Sequence, residues 1–311
     1  MTQITPTILV TGAAGRVGGT GRMVVEALLE RGYAVRAFVR TSDRRAKHLE
    51  TLGAELFVGD LLDFQAVRAA LQGIKRAYFC YPVSESLLEA AIGFAALAQD
   101  GGLEAIVDLS QGGADVFSTS PAARQHGLVE RALDWANVGV IHLRASFFAD
   151  NLLIFAAPTI VSQGTFSLPY LGNAGSALVA AEDIARVAVA LLEDPQPHFG
   201  KTYSVTGPTV LFPQEIAQTL SDVLHRPVTY TDLSIEDWQK LLGFTLSSHL
   251  TQHFAASGKA RSVQQSHGSP ARVPISDTIS DTVRRLTSRE PVSLETFIRT
   301  HAQAFGGIPS A

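Results

Sequence analysis

A short apolar run, Ile8-Leu9-Val10, passes directly into a glycine-rich stretch, Thr11 to Gly21, and then into Met23 to Arg31, whose apolar residues recur at helical spacing. That succession constrains the fold more than anything else in the chain. A buried strand that turns at once into a helix continues, as a rule, by a right-handed crossover to a parallel neighbour. Gly32 closes the helix as a C-cap glycine would, and Tyr33 to Val39 reads as the second strand. Glu55 to Val58 is the third, ending at Gly59-Asp60 before a helix from Asp63 to Leu71. Ala77 to Tyr81 and Ala105 to Leu109 follow as strands, with a helix from Ser84 to Gln99 between them. A helix around Ala122 to Ala136 leads into a sixth strand, Val138 to Leu143. The expected fold is α/β, a Rossmann-type doubly wound parallel sheet.

Beyond Arg144 the alternation loosens. Pro158 to Ala177 is rich in Gly, Ser and Pro and reads as a surface excursion. Ala181 to Leu192 resumes helical spacing, Lys201 to Val205 is a strand, Pro213 to Leu224 a helix and Val228 to Thr231 a strand. Ser257 to Pro274 is polar and reads as a mobile loop, and Val292 to Glu295 as a helix start placing Phe297, His301 and Phe305 on one face. The expected division is a dinucleotide-binding domain over residues 1–153, with 178–206 returning to it. Residues 154–177 and 207–311 would form a smaller C-terminal α/β substrate-binding cap over the sheet's carboxyl edge.

Composition narrows the function classes. With 25 Lys and Arg against 29 Asp and Glu and no basic block, the chain lacks the clustered cations that phosphate-backbone binding needs, so nucleic acid is not expected as a partner. The one cysteine, Cys80, closes no internal disulfide and reads as a buried, inert thiol. No apolar run reaches 18 residues and the first residues lack a signal-peptide pattern, so a soluble, cytoplasmic protein without a membrane partner is expected.

The strongest local signal is Thr11-Gly12-Ala13-Ala14-Gly15-Arg16-Val17-Gly18 between strand and helix. In that context Gly12 permits the tight turn, Gly15 lets the backbone approach a pyrophosphate, and Gly18 lets the helix pack close to the sheet. The helix N-terminus then offers unpaired N–H groups to phosphate. Gly18-Gly19-Thr20-Gly21 repeats the spacing, so a second register on Gly15, Gly18 and Gly21 is open. The first register is preferred because its glycines begin where the strand ends. At the end of the second strand, where an NAD-selective site would carry an acid, stands Arg40, with Arg44 and Arg45 close behind and Asp43 in the loop. A guanidinium there can hold a 2′-phosphate through paired charge-assisted bonds, which makes NADP(H) the preferred cofactor and NAD(H) a possible one. Gly59-Asp60-Leu61 is the expected adenine wall, with Asp60 as its polar contact.

These segments, with Val35-Arg36-Ala37-Phe38-Val39-Arg40, Leu143 to Leu153, Tyr203 to Pro208 and Glu182-Asp183-Ile184-Ala185, resemble the NmrA-like branch of the atypical short-chain dehydrogenase/reductases. The resemblance spans nearly the whole chain. It implies kinship with NAD(P)H quinone oxidoreductases, azoreductases and triphenylmethane reductase, and also with members that bind the dinucleotide as redox sensors. By the same analogy, Tyr81, Pro82 and Val83, with Ser110 and Gln111, would flank the nicotinamide ribose. Ser146, Phe147 and Phe148 would lie along the nicotinamide ring.

Typical short-chain dehydrogenases pair a Tyr with a Lys four residues on, and the Tyr passes a proton to the substrate. No Tyr here has that Lys, and none lies between Tyr81 and Tyr170. On the helix that would carry the pair, Ala122 takes the tyrosine slot and His126 the lysine slot, with Glu130 one turn on, where its carboxylate could orient the imidazole. Three roles stay open for His126: proton donor to a quinone or imine, binder of the nicotinamide ribose, or structural residue. His249 and His253 could share a helix face but have no acid to complete a metal site, so no metal is expected. His142 reads as packed core, and Phe147, Phe148, Phe155, Phe166, Tyr170 and Trp238 as a mixture of core and cleft lining. The expected function is NADP(H)-dependent hydride transfer to a small apolar, planar aromatic acceptor such as a quinone or dye. The alternative is a non-catalytic NADP(H) sensor acting through a protein partner.

Overall fold

The computed structural model describes residues 7–15, 19–171, 174–266 and 278–307. The chain runs β1 (Ile8–Val10), α1 (Thr20–Glu30), β2 (Val35–Val39), α2 (Arg44–Thr51), β3 (Glu55–Val58), α3 (Phe64–Ala70), β4 (Arg76–Phe79), α4 (Leu87–Asp100), β5 (Ala105–Gln111), α5 (Pro121–Asp134) and β6 (Gly139–Ala145). It continues through α6 (Asn151–Phe155), α7 (Ala157–Gln163), β7 (Thr165–Phe166), α8 (Ala181–Glu193), β8 (Thr202–Val205), α9 (Pro213–Leu224) and β9 (Thr229–Tyr230). The last elements are α10 (Ile235–Leu242), α11 (Ser248–Ser266), α12 (Thr282–Thr287) and α13 (Leu294–Thr300). Seven strands form one sheet in the order β3-β2-β1-β4-β5-β6-β8, each pairing parallel to its neighbours. This is the expected Rossmann-like α/β fold. The winding reverses between β1 and β4, and in such sheets the crevice at the carboxyl ends of those two strands is the ligand position.

The period-two rule explains both faces of the sheet. Ile8 and Val10 point to one side and pack with Val24, Val25 and Leu28 of α1 and with Ile184, Val187 and Leu191 of α8. Leu9 points to the other side, among Phe79, Phe94, Ile106, Val129 and Leu133 under α3, α4 and α5. All three β1 side chains are fully buried. Each such residue contributes roughly 1.5–3 kcal/mol of burial, so the shortest strand of the seven-stranded sheet is among the most firmly held. Side-chain caps start several helices: Asp43 accepts from the Arg45 and Ala46 amides, Asp63 from Gln65 and Ala66, and Ser120 from Ala123.

Three expectations need correction. The stretch from Pro158 to Ala177 is not a surface excursion: it forms α7 and β7 and buries Phe166, Leu168 and Leu171 in a separate apolar cluster with Leu152, Ile216, Trp238 and Phe297. Two of its glycines mark a turn and a close approach rather than slack: Gly164 ends α7 at φ +67°, and a Cβ on Gly175 would come 2.5 Å from Val210. Ser257 to Ser266 is not loop but the second half of α11, and the rest of the expected loop lies outside the described residues. The cap also does not own the whole region after 207, because α12 returns to the sheet and sets Val283 beside α8 in the first cluster. No helix among the described residues is long and apolar enough to cross a membrane.

Candidate functional site

The turn after β1 is tied to β4. The Thr11 hydroxyl donates to the Cys80 carbonyl at 2.9 Å and accepts from the Cys80 amide at 2.8 Å. Gly12 stands at φ +65°, and a Cβ there would lie 3.1 Å from the Cys80 carbonyl oxygen, so both conformation and space demand glycine. Gly15 closes the turn by donating its amide to the Gly12 carbonyl at 3.0 Å. The close helix approach, assigned to Gly18 in the preferred register, is made by Gly21: a Cβ there would meet the Gly12 carbonyl oxygen at 2.6 Å. The helix begins only at Thr20, which moves its contact glycine one turn later. Arg16, Val17 and Gly18 lie outside the described residues. Burial pushes the neighbouring Cys80 thiol up to about 11, so it stays protonated.

Three groups meet beyond the ends of β2, β3 and β4. Burial pushes the Tyr81 phenol up, the Asp60 carboxylate adds to that shift, and the Arg40 guanidinium opposes it. Asp60 shapes its own turn by accepting the Leu62 amide at 2.9 Å, and Leu61 is buried beside it. Arg40 is exposed, as are Pro82 and Val83. Asp43 is drawn off, capping α2 and pairing with Arg45 at 2.5 Å. Asp43 is therefore not available to neutralise Arg40, which makes no ion pair among the described residues.

On the other side of the crevice the site rests on α5. His126 is 5% exposed, its Nδ1 has no hydrogen-bond partner, and burial drives it down to about 4, with His253 and His249 adding to that and Glu130 opposing it. Glu130 does not orient it. The carboxylate is held instead by Arg144, which donates Nε to Oε1 at 2.8 Å and Nη2 to Oε2 at 2.5 Å, and by the Ser110 hydroxyl at 2.6 Å. Sharing a helix face made the His126–Glu130 contact plausible, but a guanidinium on β6 is the stronger claimant. Gln111, at the end of β5, also leaves a buried Nε2 without a partner. Below this lies a second polar link, in which His142 Nδ1 meets Asp108 at 2.8 Å and Nε2 meets Asp134 at 3.3 Å. Burial pulls His142 down, but Asp108, Glu130 and Asp134 together outweigh it and hold the imidazole up at about 8.

Ser146, Phe147 and Phe148 carry the chain from β6 into the cap. The Ser146 hydroxyl donates to the Ala177 carbonyl, and the Phe147 carbonyl accepts the Val179 amide at 3.0 Å. Phe148 packs against the sheet, whereas Phe147 lies 4.1 Å from Tyr170 and begins an aromatic chain through Phe254, Phe155 and Trp238. Trp238 and Phe166 are cap core. Helix α11 closes over α5, where His253 Nδ1 and the Ser120 hydroxyl share a hydrogen bond of 2.7 Å. Sequence reasoning missed Arg144 and this histidine seam, and carried Gly21 only in its second, less favoured register. One signal was available: Asp108 with Ser110 on β5 and His142 with Arg144 on β6 alternate to the same face, which announces a polar layer under a helix. A cavity of about 720 Å³ lies elsewhere, at the amino end of β8 beside Lys201, Tyr203 and Arg285, and contains none of the expected site residues.

The residues present fit a dinucleotide: a glycine turn that no side chain could share, a cation past β2, and unpartnered polar atoms on Gln111 and His126. Comparison with known proteins agrees with this architecture. The chain is 28% identical over 302 residues to an NAD(P)H azoreductase from Xenophilus azovorans, covering 96% of this chain and 99% of the relative. Among solved structures, the Escherichia coli NADPH-dependent quinone oxidoreductase QOR2 complexed with NADPH superposes with a TM-score of 0.79 at 23% identity, covering 95% and 99% of the two chains. NmrA, a negative transcriptional regulator in complex with NADP, gives 0.77 at 19%, covering 96% and 95%. At those identities the two structures speak for the fold alone. The family is carried by the sequence: residues 5–298 match the model of the NmrA-like family, and the chain belongs to it.

Proposed function

We propose that the protein is an NADP(H)-dependent oxidoreductase that reduces an apolar, planar acceptor of the quinone or aromatic-dye class. The observation that carries the reading is the glycine turn at the switch point, where a side chain on Gly12 or Gly21 would collide with neighbouring backbone, beside the N-terminus of α1. The kinship with an azoreductase and the fold shared with a quinone oxidoreductase point the same way. Preference for NADP(H) over NAD(H) rests on Arg40, with Asp43 taken up by Arg45.

When bound, the reduced nicotinamide supplies a hydride, and one proton from solvent completes a hydroquinone. The chain supplies position and exclusion of water. His126, held near 4, is a neutral imidazole at pH 7 and serves as a hydrogen-bonding wall rather than an acid. Phe147 and Tyr170 offer the apolar face against which a flat acceptor would lie. The test is loss of NADPH absorbance with a panel of quinones and azo dyes. Turnover with at least one acceptor is expected, and none with any acceptor, despite tight cofactor binding, would overturn it. In that case the sensor reading stands, in which the dinucleotide state is passed to a protein partner. The feature favouring that second reading is α11, which covers His126.

A further inference from the structure

Glu130 is a buried carboxylate in the middle of the α5 inner face, and the expected task of orienting His126 is not its own. Both of its oxygens are occupied. Oε1 takes the Ser110 hydroxyl at 2.6 Å and Arg144 Nε at 2.8 Å, and Oε2 takes Arg144 Nη2 at 2.5 Å. A carboxylate gripped by a guanidinium fork is an acceptor only. A serine hydroxyl has one hydrogen to give, and at Ser110 that hydrogen is committed to Glu130. What remains on the Ser110 oxygen is lone pairs.

Ser110 is the penultimate residue of β5, at the carboxyl edge where a ligand would meet the sheet, with the unpartnered Gln111 Nε2 next in the chain. We propose that Glu130, clamped by Arg144, is a positioning residue that fixes the Ser110 hydroxyl as a hydrogen-bond acceptor, so that this corner of the site recognises a ligand O–H or N–H and not a carbonyl oxygen. The proposal rests on the dinucleotide reading above. Two sources carry the donor chemistry: a ribose hydroxyl of the cofactor, or the hydroxyl of the reduced acceptor. In either case Ser110 does not polarise the carbonyl under attack, which is the opposite polarity from a serine that donates to substrate.

The test is a double-mutant cycle of Ser110→Ala and Glu130→Gln in the full-length protein, read by NADPH fluorescence titration and by kcat and KM for a quinone. Each single change is expected to weaken the affected constant about 5–10-fold, the worth of one hydrogen bond of roughly 1–1.5 kcal/mol. The double variant is expected to be no worse than Ser110→Ala, because without the hydroxyl Glu130 has nothing to position. A change in NADPH Kd assigns the donor to the ribose, and an unchanged Kd with a changed kcat or KM assigns it to the acceptor. Losses that multiply in the double variant would overturn the proposal. So would a Glu130→Gln protein with lowered melting temperature but unaltered constants. If Glu130→Gln does not fold, Glu130→Gln with Arg144→Met removes the unpaired guanidinium and takes its place in the cycle. Failure of the underlying reading shows differently, as a wild type that binds no dinucleotide.

Discussion

The two walls of the crevice are made of different material. On the β1–α1 side the site is backbone: Gly12, Gly15 and Gly21 clear a space, and the Thr11 side chain ties the turn to the chain after β4. On the α5 side it is a layer of polar and charged side chains, Asp108, Ser110, Glu130 and His142 buried, Arg144 half-buried and Asp134 exposed at the rim, with His126 above and α11 closed over it. A backbone wall tolerates no added carbon but is indifferent to pH. A wall of paired charges tolerates changes of volume better than the loss of one partner, and it titrates.

The sharpest way to break that contrast is Gly21→Val. Its Cβ would need the place of the Gly12 carbonyl oxygen, so the turn must open, and dinucleotide affinity should fall more than about 100-fold, the loss of at least two charge-assisted contacts. Arg144→Met attacks the other wall. It strands Glu130 in the interior and should cost about 3–5 kcal/mol in urea unfolding, whereas Arg144→Met with Glu130→Met should recover much of that.

Titration should move stability on the α5 side from both directions. His126 and His253 are held near 4, below their unfolded value, so their folded form is favoured above about pH 6.5. That contribution, on the order of 3 kcal/mol each, should be lost as pH falls from 6.5 toward 4. His142 has the opposite sign. Raised to about 8, it contributes about 2 kcal/mol below pH 6.5, and this should fade as pH rises through 8. Unfolding free energies at pH 4.5, 6.5 and 9 check both limbs, and His142→Phe should flatten the alkaline limb alone. The smallest effect belongs to Arg40→Asp, which should shift the NADPH-to-NADH affinity ratio by about tenfold toward NADH, measured by paired titrations.

The same contrast explains what could be read without coordinates. The backbone wall left its mark in residue spacing, because each close approach demands a glycine at a set place. Strand periodicity did the same for β1 to β6, and Pro213 with its apolar spacing for α9, whose bounds match the expectation. Only the later turn start at Thr20 shifted the third glycine role from Gly18 to Gly21. The side-chain wall was illegible where it depends on partners from different elements. Glu130 looked bound to His126 because helix spacing is visible in sequence, while Arg144 reaches it from a strand. Helix α11 hid for a related reason: part of its inner face is His249 and His253, which buries well against α5 but carries no apolar periodicity.

Calorimetric titration of the full chain with NADP⁺ and NAD⁺, alongside Gly21→Val, tests the central assignment most directly. The expected result is saturable heat with both dinucleotides, tighter for NADP⁺, and none for the variant. Absence of heat with either ligand in the wild type, or undiminished binding by Gly21→Val, would contradict a pyrophosphate seated on the β1–α1 turn.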